Sequence, residues 1–483
     1  MFVGRETELH KLNISYKKDG FQFPVIYGRR RVGKTTLISK FISDKKAVYF
    51  VAIESSMREN LRLLSVQILS VLAPDSPKNP FPSFCEAVEY VFEKAKNERI
   101  VFVIDEYPYL ANSDKSVSSI LQAAIDKHQE RSRLFLILCG SSMSFMEKQV
   151  LGYESPLYGR RTAQFKILPF DYHTSAKMHP CFSYEEKITL YSITGGIPEY
   201  LSRIDTNLTV FENVCELFFN PSGRLFEEPS SLLKQELKIP ETYNAIISAI
   251  ATGSSKLNEI ATKTGMETSQ ASKMLSTLIS LGIVKKESPV TFAKSKKTLY
   301  ILSDLMFKFW YRFVLPEQSR INAGLGEEAC KEMFDEQLNS HIGNAFEEAA
   351  KQYMWIMQKK DLLPIPFKNI GRWWGSNPVT RTEEEVDIIA CNGVRAIFGE
   401  CKWKNAKTET GILENLKRKA SLFSCFDELH YMLFSKSGFT EELKRKSRDD
   451  RFVTLYCLVD MFLEGGENGK ISESSCTPEF YYR

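Results

Sequence analysis

Short, unbroken runs of apolar residues predict buried strands in the N-terminal part of the chain. The runs cover residues 23–27, 47–53, 100–104 and 134–139, and each is bounded by polar, charged or glycine residues. Runs of this length without alternation are typical of strands buried on both faces of a parallel sheet. Residues 36–41, after the first run, are predicted to form a helix. Strands and helices in this order predict an α/β fold.

The first predicted strand leads into a phosphate-binding loop. Residues 28–35 read G-R-R-R-V-G-K-T, which matches the pattern G-x-x-x-x-G-K-[ST]. A glycine loop between a strand and a helix points backbone N–H groups and the positive helix end at one anion. Lys34 would reach the β- and γ-phosphates of ATP, and the Thr35 hydroxyl would hold Mg²⁺. A chance match in a basic loop is the alternative. The predicted ATP-binding residues are Arg5, Gly28, Arg29, Arg30, Arg31, Val32, Gly33, Lys34, Thr35 and Thr36.

Two carboxylates end the third apolar run, about seventy residues after the loop. Asp105 is predicted to hold the Mg²⁺ shell, and Glu106 to polarise the water that attacks the γ-phosphate. Acidic residues also end strands simply by meeting solvent. The run 47–53, inserted between the lysine loop and the Asp-Glu strand, marks the class of ATPases that use a catalytic glutamate. Ser141, after the fourth run, would either sense the γ-phosphate or cap the next helix.

The opening residues 2–9, F-V-G-R-E-T-E-L, resemble the first motif of AAA+-type ATPases of the archaeal-ATPase group, related to origin-recognition and STAND-type proteins. Residues 155–161, 195–201 and 304–313 extend this resemblance over most of the chain. It implies that the segment around Arg5 packs near adenine and that residues 195–198 enter a helical lid. It also implies that Arg160 or Arg161 is an arginine finger acting across a subunit boundary, and hence a homo-oligomer. A surface arginine pair is the alternative.

Helical spacing of apolar residues between about 240 and 302 predicts three short helices followed by a hairpin, the pattern of a winged helix. The third helix and the hairpin would present polar and basic side chains to DNA bases and phosphates. The predicted DNA-binding residues are Gln270, Lys273, Lys285, Lys286, Lys296 and Lys297. The alternative is a winged helix that serves only for packing or protein docking.

A β-hairpin is predicted around Asn392-Gly393, since Asn-Gly between two β-rich runs is a strong signal for a two-residue turn. With these two residues as the loop, Asp387 faces Phe398 and lies diagonal to Glu400, roughly 7 Å away at Cβ. Two carboxylates at that spacing can share one Mg²⁺. Lys402, on the same face, could orient or deprotonate a water beside the metal.

This arrangement resembles the PD-(D/E)xK nuclease core, in which one strand supplies Asp and the next supplies Glu-x-Lys. The resemblance implies metal ligands Asp387 and Glu400, a catalytic Lys402 and a further carboxylate from a preceding helix, for which Glu347 is the better candidate and Glu348 the second. Val386 stands where the family often has proline. A surface hairpin with alternating charges is the alternative, and members of this superfamily that do not cleave are known.

Composition places the chain among ordinary globular proteins. Its 483 residues, 43% apolar and 26% charged, predict several domains without extended disorder. A net charge of +4 is too small to indicate a polyanionic partner by itself. Ten cysteines without a C-x-x-C pair favour a reducing cytoplasm. Charges near the start disfavour a signal peptide, and no apolar run reaches the ~20 residues that span a bilayer, so a cytoplasmic protein without membrane partners is predicted.

The chain is thus predicted to be an α/β protein of four parts. A phosphate-loop, parallel-sheet ATPase core of the catalytic-glutamate (ASCE) type covers 1–170, a helical lid 171–235, a winged helix 236–315, and an α/β restriction-endonuclease-like domain 330–483, after a linker near Pro316. The predicted function is ATP binding and hydrolysis with Mg²⁺, coupled to DNA binding and metal-dependent DNA cleavage. The alternatives are a STAND-like nucleotide switch and a transcriptional regulator, each with a non-cleaving C-terminal domain.

Overall fold

The structure is a computed structural model that describes residues 2–237, 239–290, 297–377 and 380–463. Its contacts divide the chain into two compact units. The first holds residues up to Phe170 together with 197–199 and 280–282, and the second holds the other described residues. Across these ranges, none of the helices combines the length and the apolar character that crossing a bilayer requires.

A parallel sheet forms the centre of the first unit. Its strands are β1 (Pro24–Tyr27), β2 (Ala47–Val51), β3 (Val101–Asp105), β4 (Phe135–Gly140) and β5 (Ala163–Lys166), in the order β2-β3-β4-β1-β5. All four neighbouring pairs are parallel, which confirms the predicted parallel-sheet core. The helices are α1 (Glu6–Lys17), α2 (Lys34–Ile42), α3 (Met57–Leu72), α4 (Phe84–Lys94), α5 (Tyr107–Ser113), α6 (Val117–His128) and the short α7 (Met143–Phe145).

The strand β2 corrects the prediction that the run 47–53 is a fully buried strand. The strand between β1 and β3 in the sheet is β4, whereas β2, formed by the run 47–53, lies at the edge. Its Tyr49 is only partly buried and its Val51 is exposed. A chain can add its second strand at the far side of the sheet, because the crossover helix and not the sequence order decides which strands become neighbours.

Five helices follow: α8 (Tyr172–Ala176), α9 (Tyr184–Thr194), α10 (Pro198–Leu201), α11 (Val210–Phe218) and α12 (Glu228–Glu236). Helix α9 begins with a capping box between Ser183 and Glu186, which satisfies its first N–H groups. It ends at Gly195, and both Gly195 (φ 64°) and Gly196 (φ 67°) have the left-handed backbone that glycine accepts without strain.

A helix-turn-helix with a hairpin comes next, formed by α13 (Pro240–Ala251), α14 (Leu257–Thr264), α15 (Thr268–Ser280), β6 (Val284–Glu287) and β7 (Leu299–Leu302). Strands β6 and β7 are antiparallel. Gly265 makes the predicted tight turn before α15 with φ 67°.

The segment around Pro316 is helical, so the predicted linker there is wrong. Helix α16 (Leu305–Phe309), a π-helical turn (Trp310–Val314), a 3-10 turn (Leu315–Glu317) and α17 (Gln318–Asn322) follow one another without a break. Pro316 stands in the first turn of the 3-10 segment, where a missing N–H is tolerated. Trp310, which is 1% exposed, donates its indole N–H to the Phe226 carbonyl at 2.7 Å and fixes this segment in the core.

A second five-stranded sheet forms the C-terminal part. Its elements are α18 (Gly326–Glu336), α19 (Leu338–Lys359), β8 (Asn369–Ser376), β9 (Glu383–Asn392), β10 (Arg395–Lys402), α20 (Thr410–Ala420), β11 (Glu428–Ser435), α21 (Glu441–Asp449) and β12 (Val453–Cys457). The order is β12-β11-β10-β9-β8, parallel from β10 to β12 and antiparallel from β8 to β10. Buried side chains of β9, β10 and α20, among them Ile389, Phe398 and Leu416, form its core.

His341 ties α19 to α9. Its imidazole is fully buried, and its Nε2–H donates to the Ser192 carbonyl at 2.8 Å. Burial, with smaller contributions from the positive charges of Lys308 and Arg312, lowers the pKa of His341 to about 3. The ring is therefore neutral in the folded chain at pH values where an unfolded histidine is charged.

This difference predicts an acid sensitivity. The folded pKa lies below the unfolded value of about 6.5, so the unfolded chain takes up a proton at this histidine before the folded chain does. The free energy of unfolding is therefore at its full value above pH 6.5 and decreases as the pH falls toward 3. Between pH 7 and pH 5 the loss is about 2 kcal/mol. We expect His341→Gln, which keeps an N–H donor but takes up no proton, to reduce the fall in thermal midpoint over this range. The exposed His10→Gln is the control, and an unchanged fall in His341→Gln would refute the assignment.

Candidate functional site

The phosphate loop has the backbone that its glycines predict. Gly33, at the N-cap of α2, has φ 88°, and Arg31 also has a positive φ of 71°. A Cβ on Gly28 would lie 2.3 Å from the Ile167 carbonyl oxygen, so only glycine fits there. Lys34 is 6% exposed and donates from Nζ to the carbonyls of Gly28 and Arg29, both at 2.9 Å. Burial lowers the pKa of Lys34, and nearby Cys139, Glu106 and Asp105 oppose that shift.

Asp105, at the end of β3, is brought to the loop. Its Oδ2 accepts from the Thr35 hydroxyl at 3.3 Å and from the Tyr49 hydroxyl at 2.6 Å, and its Oδ1 accepts from the Glu106 N–H at 2.9 Å. The carboxylate is 3% exposed. A carboxylate and a hydroxyl oxygen side by side are the hard ligands that Mg²⁺ prefers, so these residues fit the predicted ion.

Glu106 and Ser141 are also brought together. Glu106 has φ 50° at the N-cap of α5, and its Oε2 accepts from the Ser141 hydroxyl at 2.8 Å and from the Ser141 N–H at 3.3 Å. A non-glycine residue with positive φ is strained and often marks a functional position. The alternative of helix capping is absent here, because Ser142 is the N-cap of α7 and makes no side-chain cap bond.

The arginines around the loop are engaged by the protein. Arg5 is 6% exposed, donates to the carbonyls of Val32 and Leu168, and lies 4.6 Å over the Phe170 ring. Its hydrogen bond to the Val32 carbonyl therefore stabilises the backbone of the phosphate loop. Arg30 donates to the Tyr109 hydroxyl at 2.7 Å, and Arg31 pairs with Glu199 at 3.3 Å. Thr36 is exposed on the first turn of α2.

The two candidate arginine fingers lie after α7. Arg160 makes a two-pronged ion pair with Asp126 of α6, with both bonds at 2.6 Å. Arg161 donates to the Leu151 carbonyl at 3.3 Å and lies 5.8 Å from the Tyr158 ring. A finger across a subunit boundary, and the oligomer that it requires, stay predictions.

The predicted DNA-binding residues are distributed unevenly. Gln270 and Lys273 are exposed on α15, and Lys286 and Lys297 are exposed in or beside the hairpin. Lys296 lies outside the described residues. Lys285 instead pairs with Glu348 of α19 at 3.3 Å and with Glu287 at 3.7 Å. Its ammonium group contacts a helix of the C-terminal part. The predicted contact with a DNA phosphate would instead require this group to face solvent.

The hairpin is joined to the C-terminal sheet by further bonds. The Val290 N–H donates to the Arg372 carbonyl at 2.9 Å, and a Cβ on Gly371 would lie 2.5 Å from the Val290 side chain. Arg372 pairs with Glu287 of β6 at 3.4 Å and with Glu385 of β9 at 3.2 Å. A backbone hydrogen bond and an ion pair thus link the winged helix to the C-terminal sheet.

The β9–β10 hairpin corrects the predicted register. The two-residue loop is Gly393-Val394, so Asn392 faces Arg395 and Ile388 faces Gly399. Gly393 takes the left-handed backbone, with φ 62°. The observed pairs end at Ile388 and Gly399, and just beyond them the Asp387 carboxylate accepts from the Cys401 N–H at 2.9 Å. A loop displaced by one residue moves each partner by two, which leaves every side chain on its predicted face.

The acidic residues and the lysine of the predicted nuclease site do lie together. Asp387 accepts from the Cys401 N–H at 2.9 Å. Glu400 is 7% exposed and accepts from Lys402 at 2.6 Å, and Lys419 of α20 lies 3.5 Å from its other oxygen. Burial lowers the pKa of Lys402, but the Glu400 carboxylate outweighs burial and leaves that pKa above its ordinary value.

Glu347 of α19 completes the group. Burial and then the charge of Glu400 raise the pKa of Asp387, and burial and then the charge of Asp387 raise the pKa of Glu347. Glu348 behaves differently: burial would raise its pKa, but Lys351 and Lys285 hold it at about 2. Of the two candidates, Glu347 is the one whose pKa the charge of Asp387 raises, and its role as a metal ligand stays a prediction.

Possible metal ligands converge between α4 and α6. Within the described ranges, the group with three ligand atoms inside 4.8 Å of one another is Glu89, Glu93 and His128 of α4 and α6. Glu89 and Glu93 are already paired with Lys127 and Lys96, at 3.0 and 2.6 Å. The oxygens of Asp387, Glu400 and Glu347 do not converge to that degree.

Two contacts of these sites, Tyr49 with Asp105 and Lys419 with Glu400, were not predicted from the sequence. Tyr49 sits in an apolar run, and only the pairing of β2 with β3 brings it to Asp105. Lys419 belongs to a basic run in which Lys417 pairs with Asp450 and Arg418 with Glu384. Within this run, Lys419 lies on the side of α20 that contacts Glu400. The helical periodicity of α20 is the sequence feature that could have identified it.

Family models match three parts of the chain. One described as an ATPase domain predominantly from Archaea matches residues 2–204, one described as an IclR helix-turn-helix domain matches 245–288, and one of archaeal and bacterial proteins of unknown function matches 310–413. The predicted archaeal-type ATPase and the helix-turn-helix are confirmed. The nuclease assignment stays a prediction.

Among solved structures, the Walker-type ATPase PABY2304 of Pyrococcus abyssi is similar, with 18% identity, a TM-score of 0.48 and coverage of 64% of this chain and 96% of that one. The ORC2 protein of Aeropyrum pernix is similar with 14% identity, a TM-score of 0.45 and coverage of 66% and 94%.

Among curated relatives, the uncharacterised protein MJECL04 of Methanocaldococcus jannaschii is 32% identical over 466 residues, which cover 95% of this chain and 100% of that protein. The uncharacterised ATP-binding protein MJ0423 of the same organism is 48% identical over 46 residues, 10% of this chain and 78% of that protein. The chain therefore belongs to the family of MJECL04, and its residues 2–204 are an ATPase domain of the predominantly archaeal type.

Proposed function

We propose that the chain hydrolyses ATP with Mg²⁺ and couples this reaction to DNA. The observation that carries the proposal is the joining of three sequence-distant elements at one point: the loop with Lys34, the end of β3 with Asp105 and Glu106, and the end of β4 with Ser141. The family match to an archaeal ATPase domain supports the same activity.

Each residue then has one role. Lys34 neutralises charge on the β- and γ-phosphates, and the Glu106 carboxylate takes the proton of the attacking water as the bond to the γ-phosphorus forms and the β–γ bridge breaks. Ser141, which donates to Glu106, holds that carboxylate at the carboxyl ends of β3 and β4. Mg²⁺, when bound by Thr35 and Asp105, would withdraw charge from the bridging phosphates.

Glu106→Gln separates binding from chemistry. The amide keeps the size of the side chain but accepts no proton, so we expect turnover to fall on the order of 10²–10³-fold while ATP still binds. Phosphate release and the affinity for a fluorescent ATP analogue are the measurements. The exposed Glu130→Gln is the matched control. Turnover of Glu106→Gln equal to the wild type would exclude Glu106 as the base.

The helix-turn-helix is the proposed DNA module. Its family match and the exposed Gln270 and Lys273 on α15 support a duplex partner. Repeating the turnover assay with duplex DNA tests the coupling. We expect a change in turnover that disappears as salt is raised, because phosphate contacts weaken steeply with ionic strength.

Metal-dependent phosphodiester cleavage is the second proposed activity. It is supported by the lysine that bonds Glu400 and by the electrostatic interaction of Asp387 with Glu400 and Glu347. A divalent cation held by these carboxylates would polarise the phosphodiester, and Lys402 would orient the attacking water.

A further inference from the structure

Tyr49 contacts the magnesium-binding carboxylate from the edge of the sheet. In the parallel pairing of β2 and β3, Tyr49 is level with Val103 and Val51 with Asp105. Residues two apart on a strand share a face, so the Tyr49 side chain reaches diagonally to Asp105. Its hydroxyl lies 2.6 Å from Asp105 Oδ2.

The hydroxyl of Tyr49 completes the set of donors on that carboxylate. Thr35 Oγ1 lies 3.3 Å from the same oxygen, and the Glu106 N–H holds the other oxygen at 2.9 Å. Three donors from three elements fix the rotamer of a carboxylate that is 3% exposed. A phenol hydroxyl is protonated at neutral pH and a carboxylate can only accept, so Tyr49 is the donor in this hydrogen bond.

We propose that Tyr49 is a positioning residue for Mg²⁺, which it serves by orienting Asp105. The proposal rests on the proposed nucleotide function. Mg²⁺ demands near-ideal octahedral geometry, and groups that orient its ligands change metal affinity by about 10–100-fold. If the role of Tyr49 were purely structural, its hydrogen bond to Asp105 would stabilise the fold without changing the affinity for Mg²⁺.

Tyr49→Phe removes the hydroxyl and keeps the ring. The readout is the affinity for a fluorescent ATP analogue as Mg²⁺ is titrated, with a parallel measurement in EDTA. We expect the half-saturating Mg²⁺ concentration to rise about 10-fold and the affinity in EDTA to stay unchanged. Tyr90→Phe, on α4 and away from Asp105, is the matched control.

The outcomes of this titration distinguish the positioning role of Tyr49 from a purely structural one. Unchanged affinity in EDTA shows that Tyr49→Phe is folded; if its Mg²⁺ requirement then equals the wild type, or only its thermal midpoint falls, the positioning role is overturned. Analogue binding by the wild type without hydrolysis would refute the proposed ATPase activity but leave this titration valid. Absence of any Mg²⁺-dependent binding by the wild type would overturn both.

Discussion

Lys34→Ala should lower ATP turnover by at least about 100-fold and weaken ATP binding. The Lys34 ammonium is 6% exposed, at the N-terminus of α2, and its carbonyl partners at 2.9 Å hold it inside the loop. A preorganised charge in a poorly solvated site stabilises a transferring phosphoryl group far more than a solvated charge does. Alanine removes that charge, and helix N–H groups alone would face the phosphates.

The control for this variant is on the same helix. Lys40 is exposed on α2, so Lys40→Ala changes net charge equally without touching the loop. Phosphate release, analogue affinity and thermal midpoint should be measured for both variants. Turnover of Lys34→Ala within threefold of the wild type, in a folded protein, would refute the assignment of this loop to catalysis.

Asp387→Asn should abolish metal-dependent nicking of supercoiled plasmid DNA, with a loss of at least about 100-fold. The amide keeps an acceptor for the Cys401 N–H at 2.9 Å, so the hairpin is expected to stay intact. It removes a negative charge close to the carboxyl groups of Glu400 and Glu347, and thereby weakens the attraction of this group for a divalent cation.

The matched control is Glu383→Gln, an exposed carboxylate at the start of the same strand. Both variants should be purified identically and assayed with Mg²⁺ and with Mn²⁺. Nicking by Asp387→Asn at the wild-type rate would identify a contaminant or another site. If the wild type nicks no DNA with either metal, the cleavage proposal fails and a nucleotide switch with a non-cleaving C-terminal domain replaces it.

Motifs whose chemistry is local were readable from the sequence. The loop at Gly28–Thr35, the carboxylates that end β3 and the turn glycines Gly195 and Gly265 each depend on a few adjacent residues and their backbone torsions. The shared face of Asp387, Glu400 and Lys402 was also predictable, although the loop was misplaced by one residue. The two-residue period of a strand conserves the face when partners move by two.

Other features required the fold. The sheet order that puts β4 between β1 and β3, the reach of Tyr49 to Asp105, and the pairing of Lys285 with Glu348 all join residues more than thirty positions apart. Pro316 shows the same limit, because buried packing of Trp310 keeps a proline-containing segment helical.

The sequence by itself determined the nucleotide loop, the acidic end of β3 and the acidic-lysine face of the β9–β10 hairpin. Only the tertiary structure decided which strands are neighbours, that Ser141 and Tyr49 serve Glu106 and Asp105, and that the hairpin after α15 is bound to the C-terminal sheet. The reason is physical: torsions and periodicity act over a few residues, whereas strand order and ion pairing follow from the burial of whole elements.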